Sequence, residues 1–206
     1  MHRPRFHAVT RHWAFAAPAS SGSVPTAAGA SSSMRWSCTM IIRPATQTDA
    51  ASMMAIYNEA IADEVHANCD TLQADATRFA AGYFADAGRY GVYVGESPEG
   101  ELVGWAALKK FSAFPYSRDI AEVAVYINRR WRAQGLGIRL LRRLQDHARL
   151  AGFQSLVAII LEHNRSSVRG SEHCGFRTCA TLPRAARVSN QYEDIIWMQY
   201  SLLPSA

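Results

Sequence analysis

The segment from Glu122 to Gly137, EVAVYINRRWRAQGLG, constrains this chain more than any other. A β-branched strand, Glu122 to Ile127, runs into a short basic loop, and the loop closes on Arg132-Ala133-Gln134-Gly135-Leu136-Gly137 as a helix begins. That helix reads from Gly135 to Ala151, with Leu140, Leu141, Leu144 and Ala148 on one face and Arg139, Arg142, Arg143 and Arg149 on the other. Strand, glycine loop and helix in this order make an anion site. Glycines let the backbone approach a ligand closely. The first turn of a helix presents unpaired N–H groups at its positive end. Arg129, Arg130 and Arg132 add charge, and a diphosphate suits the combination. A triphosphate-binding loop would need Lys-Ser or Lys-Thr after the last glycine, where Ile138-Arg139 stand. A dinucleotide fingerprint would need a glycine where Leu140 stands. A glycine-rich turn that merely packs a helix is the bland alternative.

The flanking sequence predicts a mixed α/β sheet in one domain. Met40 to Pro44 reads as a strand stopped by proline. Thr46-x-x-Asp49 then starts a helix carrying Met53, Ile56, Tyr57, Ala60 and Ile61 at helical spacing. A second helix is expected from Asp75 to Ala87, ending at Gly88. Val92 to Val94 and Leu102 to Leu108 form a hairpin around Ser97-Pro98-Glu99-Gly100. Further strands are expected at Ile120 to Ile127, Ser155 to Leu161 and Ile195 to Leu202, with a short helix from Ser166 to His173.

Charge narrows the partners. The net charge is +5, but residues 1–39 carry Arg3, Arg5, Arg11 and Arg35 and no acid, leaving 18 basic and 17 acidic side chains in the remainder. Such a body makes no strong field for phosphate backbones, so nucleic acid is not an expected partner. No apolar run reaches the ~18 residues of a membrane span. Residues 1–39 are rich in Ala, Ser and Arg without periodicity, and are expected to be a disordered or spurious extension, or a targeting segment, ahead of a domain from 40 to 206. Cys38, Cys69, Cys174 and Cys179 lack metal-ligand spacing; free thiols in a reducing cytoplasm, and no metal, are the expectation.

R-x-x-G-x-G after a strand resembles the acetyl-CoA pyrophosphate loop of the GNAT superfamily of N-acetyltransferases, and the surrounding residues resemble its phosphinothricin acetyltransferase-like family. The opening Ile41-Arg43-Pro44-Ala45-Thr46 with Ala55-Ile56-Tyr57-Asn58-Glu59-Ala60, the central Ala121-Glu122-x-x-Val125-Tyr126-Ile127, and Gly152-Phe153-x-Ser155-x-Val157-Ala158-x-Ile160 carry the likeness. Asn164-x-x-Ser167-Val168-x-x-x-Glu172-x-x-Gly175-Phe176 extends it, and Tyr192-x-Asp194 stands where the family has Trp-x-Asp; together these span about residues 40–203.

The resemblance implies a mostly antiparallel central sheet whose strand before the loop splays from its neighbour at a bulge, flanked by helices. It implies that the backbone of Val125, Tyr126 and Ile127 holds pantetheine as an added strand. Arg132, Ala133, Gln134, Gly135, Leu136, Gly137 and Ile138 would hold the pyrophosphate, and Asn164 the pantetheine or sulfur end. Asn164 read alone is a helix cap. Glu122 takes the position of the general base, where Ile120, Val123, Val125 and Tyr126 would desolvate it; read alone, it is a solvated face residue. Ser171 stands where the family has Tyr or His to protonate the thiolate, which leaves water or a neighbour such as His173 for that task. Lys109, Tyr116 and Arg118 are the candidate acceptor-site residues, while Ser112, Phe114, Val188 and His66 to Asp70 depart from the family's acceptor pocket. The implied function is acetyl transfer from acetyl-CoA to the amino group of a small, amino-acid-like molecule by a homodimer. A non-catalytic acyl-CoA sensor and a protein N-terminal acetyltransferase are the alternatives.

Overall fold

The computed structural model describes residues 40–66 and 71–203. The expected extension 1–39 lies outside the described residues, as do 67–70, which hold Cys69. Strand β1 (Ile41–Pro44) stops at its proline. The Asp49 carboxylate then accepts the Thr46 N–H at 2.8 Å and opens the chain into α1 (Ala50–Ala62) through a 3-10 turn. Asp75 accepts the N–H groups of Thr77 and Arg78 and so caps α2 (Ala76–Phe84). This helix ends three residues before the expected Ala87; Ala85 to Arg89 form turns instead.

Strands β2 (Val92–Glu96) and β3 (Leu102–Lys110) make the expected hairpin. They are followed by β4 (Ile120–Ile127), α3 (Leu136–Leu150), β5 (Ser155–Leu161), α4 (Arg165–His173), β6 (Arg177–Val188) and β7 (Gln191–Ser201). The seven strands form one sheet in the order β1-β2-β3-β4-β5-β7-β6, antiparallel except for β4 beside β5. Strand β6 was not anticipated. It is an exposed edge strand holding Pro183 and a left-handed Arg184, and its register with β7 breaks twice. With both faces toward solvent, its sequence shows no two-residue alternation to read.

The parallel pair positions the site. Strands β4 and β5 pair only through Ile120–Ser155, Ala121–Leu156 and Glu122–Val157. Strand β4 continues beside β3 to Ile127, and β5 beside β7 to Leu161, so the two half-sheets diverge past Glu122. The expected splay is present. The expected bulge is not: the β3–β4 register runs unbroken from Lys110–Ala121 to Gly104–Ile127.

Each face of the sheet has its own core. On one, Leu140, Leu144 and Ala148 of α3 meet Leu156, Phe176 and Met198. On the other, Met53 and Ile56 of α1 and Phe79 of α2 meet Val94, Trp105 and Ala107. Trp105 is fully buried there and donates its indole N–H to the Met53 carbonyl at 2.9 Å.

Arg43 clamps the first edge of the sheet. Its two Nη atoms each lie 2.8 Å from an Asp49 oxygen, and its Nε donates to Glu96 at 2.9 Å. The Arg43 guanidinium, helped by the Thr46 N–H against the cost of burial, holds the Asp49 carboxyl at about 2, below its ordinary 3.8. A depressed carboxylate adds stability that is complete above the unfolded value and lost as pH falls through the folded one. Asp49→Asn should therefore melt about 3–6 °C below wild type at pH 7, for a loss of about 1–2 kcal/mol after solvent screening. The two melting curves should converge as pH falls from about 4 to 2. Thermal scans across that window check this, and a constant gap would contradict it.

Candidate active site

A cavity of about 580 Å³ occupies the splay. It passes through the sheet. Cross-strand partners share a face, so Glu122, Ala124 and Tyr126 lie with Lys109, Ala107 and Trp105 on the α1 side. Val123, Val125 and Ile127 pack on the α3 side. The cavity is lined from both sets, and from Ala158 to Ile160 of β5, Asn164 to Ser171 of α4 and Ala133 to Ile138 at the start of α3. Beyond Glu122 the β4 edge turned toward β5 has no strand beside it. An edge of this kind suits an extended amide chain added as a further strand.

At the α3 end, Ala133 and Gly135 hold left-handed backbones at φ 61° and 82°. Gly135 is the cap residue of α3 and offers no side chain to its first N–H groups, which face the cavity rim. No heavy atom lies within 4 Å of a Cβ built at Gly135, so the left-handed backbone, rather than packing, calls for glycine. The loop is braced from α1. Glu59 accepts the Asn128 side-chain amide at 3.1 Å and the Arg129 N–H at 2.9 Å. Asp63 pairs with Arg129 and, at 2.6 Å, with Arg132, whose Nε also donates to the Ile127 carbonyl at 3.1 Å. Arg129 and Arg132 are thus ion-paired with the protein itself. An anion at this loop would meet chiefly backbone amides and the helix end, and fewer free arginines than the sequence suggested. The Gln134 side chain turns back to the Arg130 carbonyl at 3.1 Å.

At the α1 end, Glu122 is largely buried and takes Lys109 as an ion partner at 3.0 Å. Of the residues expected to desolvate Glu122, Val123 and Val125 pack on the opposite face of the sheet, while Tyr126 shares its face. Past Ala124, the Tyr126 hydroxyl lies 2.6 Å from Nε2 of His66, a buried side chain that also lines the cavity. Burial, with Lys109 adding to it, pushes the His66 imidazole down to about 4, so it is neutral at pH 7. Tyr57 meets both rings, at 4.5 Å from His66 and 5.1 Å from Tyr126.

Asn164 lines the cavity and also caps α4: its Oδ1 accepts the Ser167 N–H at 3.2 Å and its Nδ2 reaches the Val65 carbonyl at 3.4 Å. Ser171 is buried in the α4 wall, while exposed His173 sits at the rim with its Nε2 3.4 Å from Arg142. Tyr116 and Arg118 are not brought to the cavity. They lie on the exposed turn before β4, Tyr116 wholly in solvent. The sequence assigns Asp63 no role, and marks His66 only as a departure from the family's acceptor pocket. Glu59 and Asp63 stand one helical turn apart, a signal that α1 presents two acids on one face.

The acetyltransferase (GNAT) domain model matches residues 39–177. This chain belongs to the GNAT family. An L-amino acid N-acyltransferase of Escherichia coli is 32% identical over 79% of this chain and 94% of its own length. An L-methionine sulfoximine/L-methionine sulfone acetyltransferase of Pseudomonas aeruginosa is 30% identical over 80% of this chain and 95% of its own. Among solved structures, the Salmonella typhimurium protein yncA with its cofactor acetyl-CoA superposes at a TM-score of 0.76 and 32% identity, covering 82% of this chain and 96% of that one. A ribosomal-protein-alanine N-acetyltransferase of Brucella melitensis reaches 0.72 at 31% identity, covering 79% and 99%. The GNAT fold, with its splayed strands and backbone anion site, fits acetyl-CoA, and the chain is an acetyl-CoA-dependent N-acetyltransferase. Among the described residues no cluster suits a metal ion and no helix is long and apolar enough to cross a membrane.

Proposed function

We propose that this GNAT enzyme acetylates the α-amino group of a small amino acid or amino-acid-like molecule, with Glu122 as general base. The carrying observation is the cavity that crosses the sheet from the amide-lined start of α3 to the Glu122 carboxylate. The pyrophosphate would rest on the amides from Ala133 to Ile138, and the pantetheine would lie along the edge of Val125 to Ile127. An amine with a pKa of about 9–10 is mostly protonated at pH 7. Glu122 takes its proton, directly or through a water, and Lys109 holds the carboxylate in place. The amine nitrogen then bonds to the thioester carbon, a backbone N–H on the open β4 edge steadies the oxyanion, and the C–S bond breaks to release the thiolate. Ser171 beside the cavity is a poor acid, so the thiolate leaves unprotonated or draws on water.

Two relatives named for amino-acid substrates favour a small acceptor. The Brucella likeness keeps a protein N-terminus as the second reading. Thiol release from acetyl-CoA, measured with a panel of free amino acids, L-methionine sulfone and short peptides, separates them. Turnover on free amino acids is expected. Turnover on peptides alone would select the second reading, and binding without turnover a sensor. The homodimer implied by the resemblance belongs to the same proposal, with exposed Phe114 and Tyr116 offering apolar surface; sedimentation equilibrium measures it. The cytoplasmic setting belongs to the same proposal.

A further inference from the structure

Four consecutive residues after α1 each bond a different element, and three of the partners, Arg132, Tyr126 and Asn164, line the cavity. Asp63 holds Arg129 and Arg132 of the pyrophosphate loop, the latter at 2.6 Å. Glu64 bonds Ser189 in the β6–β7 turn. The Val65 carbonyl accepts the Asn164 amide of α4 at 3.4 Å. His66 bonds the Tyr126 hydroxyl of β4 at 2.6 Å.

The segment is stiff. The Val65 N–H returns to the Ala60 carbonyl at 3.0 Å and the Glu64 N–H to Ile61 at 2.9 Å, the paired bonds of a Schellman cap. The left-handed position of such a cap is usually glycine; here it is Glu64 at φ 57°. A side chain in that conformation is held against a local cost by its surroundings, here by the contacts at either side of it.

We propose that Asp63 is a positioning residue for both substrates: through the cap it ties the pyrophosphate loop to the His66–Tyr126 wall on the acceptor side. The proposal rests on the acetyltransferase reading above. Asp63 itself does not line the cavity, so any effect it has on the acceptor travels through the segment. Acetyl-CoA seated on the loop and an acceptor seated against Tyr126 then favour the same placement of residues 63–66. Each should bind better in the presence of the other.

Asp63→Asn tests this on the full chain. Acetyl-CoA affinity by calorimetry should weaken about tenfold, and KM for L-methionine sulfone as the probe acceptor should rise about fivefold or more, with kcat within about threefold. Asp63→Glu, which keeps the charge, should recover most of both. An acceptor KM within twofold of wild type would overturn the link, whatever happens to acetyl-CoA, and an acetyl-CoA affinity unchanged or tightened would overturn the bracing role. Should Asp63→Asn fail to fold, Arg132→Gln breaks the same pair from the other side and is read by the same acceptor KM. If wild type neither binds acetyl-CoA nor releases thiol, the parent reading fails and not this one.

Discussion

Gly135→Asp is expected to abolish acetyl-CoA binding while leaving the fold in place. Asp is a favoured residue at the cap of a helix, where its charge suits the helix end. It also tolerates left-handed backbone better than most side chains, at a cost of about 1 kcal/mol. The open space around Gly135 adds no clash within the protein. The harm falls on the ligand alone. The new carboxylate would sit where the N–H groups of Leu136, Gly137 and Ile138 await an anion, satisfying them and repelling a diphosphate. Affinity should fall at least about 100-fold, since charge repulsion and lost amide contacts act together at short range. Calorimetry with acetyl-CoA, beside a circular dichroism melt within a few degrees of wild type, makes the measurement. Binding near wild-type strength would place the cofactor elsewhere.

Glu122→Gln should reduce kcat at pH 7 by about 10²–10⁴-fold, the range general bases supply. The amide keeps the shape of the carboxylate but cannot take a proton. Acetyl-CoA affinity should stay within about twofold, since the loop proposed to bind it starts α3, away from Glu122. The variant should regain part of its rate as pH approaches the acceptor's own pKa, where the amine arrives already neutral. Losing its partner leaves Lys109 uncompensated at a partly exposed site, so a modest drop in melting temperature should accompany the kinetic loss. A pH–rate profile covering about pH 6–10 tells a base from a structural anion. An unaltered rate at neutral pH would take the base role from Glu122.

Legibility in the sequence followed burial. Strands β4 and β5 fall where their apolar runs predicted, because both are covered on two faces or one, and α3 carries its apolar stripe as read. The edge strand β6 left no such trace, and α2 ended early, since Ala85 to Gly88 lie mostly exposed and nothing packs to extend it. At the site, the backbone-built half was readable: Gly135 and the strand-to-helix turn are local features. The half made by side chains from distant positions was not. Asp63 meets Arg132 at 2.6 Å across 69 residues, and His66 meets Tyr126 across 60. Such partners carry no local spacing rule. The same holds for Lys109, whose pairing with Glu122 follows only from the β3–β4 register. The resemblance points to Tyr116 and Arg118 through the family's loop before β4, and the 3-10 turn at Pro115–Ser117 leaves both side chains exposed.

The passage through the sheet has one more consequence, for what happens after the new amide bond has formed. On the proposed binding, coenzyme and acetylated product rest against opposite sides of the β-sheet, and each has its own door. Neither must wait for the other to clear a shared exit. A compound that joined the two halves covalently would be threaded through the gap between β4 and β5 like a bolt, and could leave only if the strands parted.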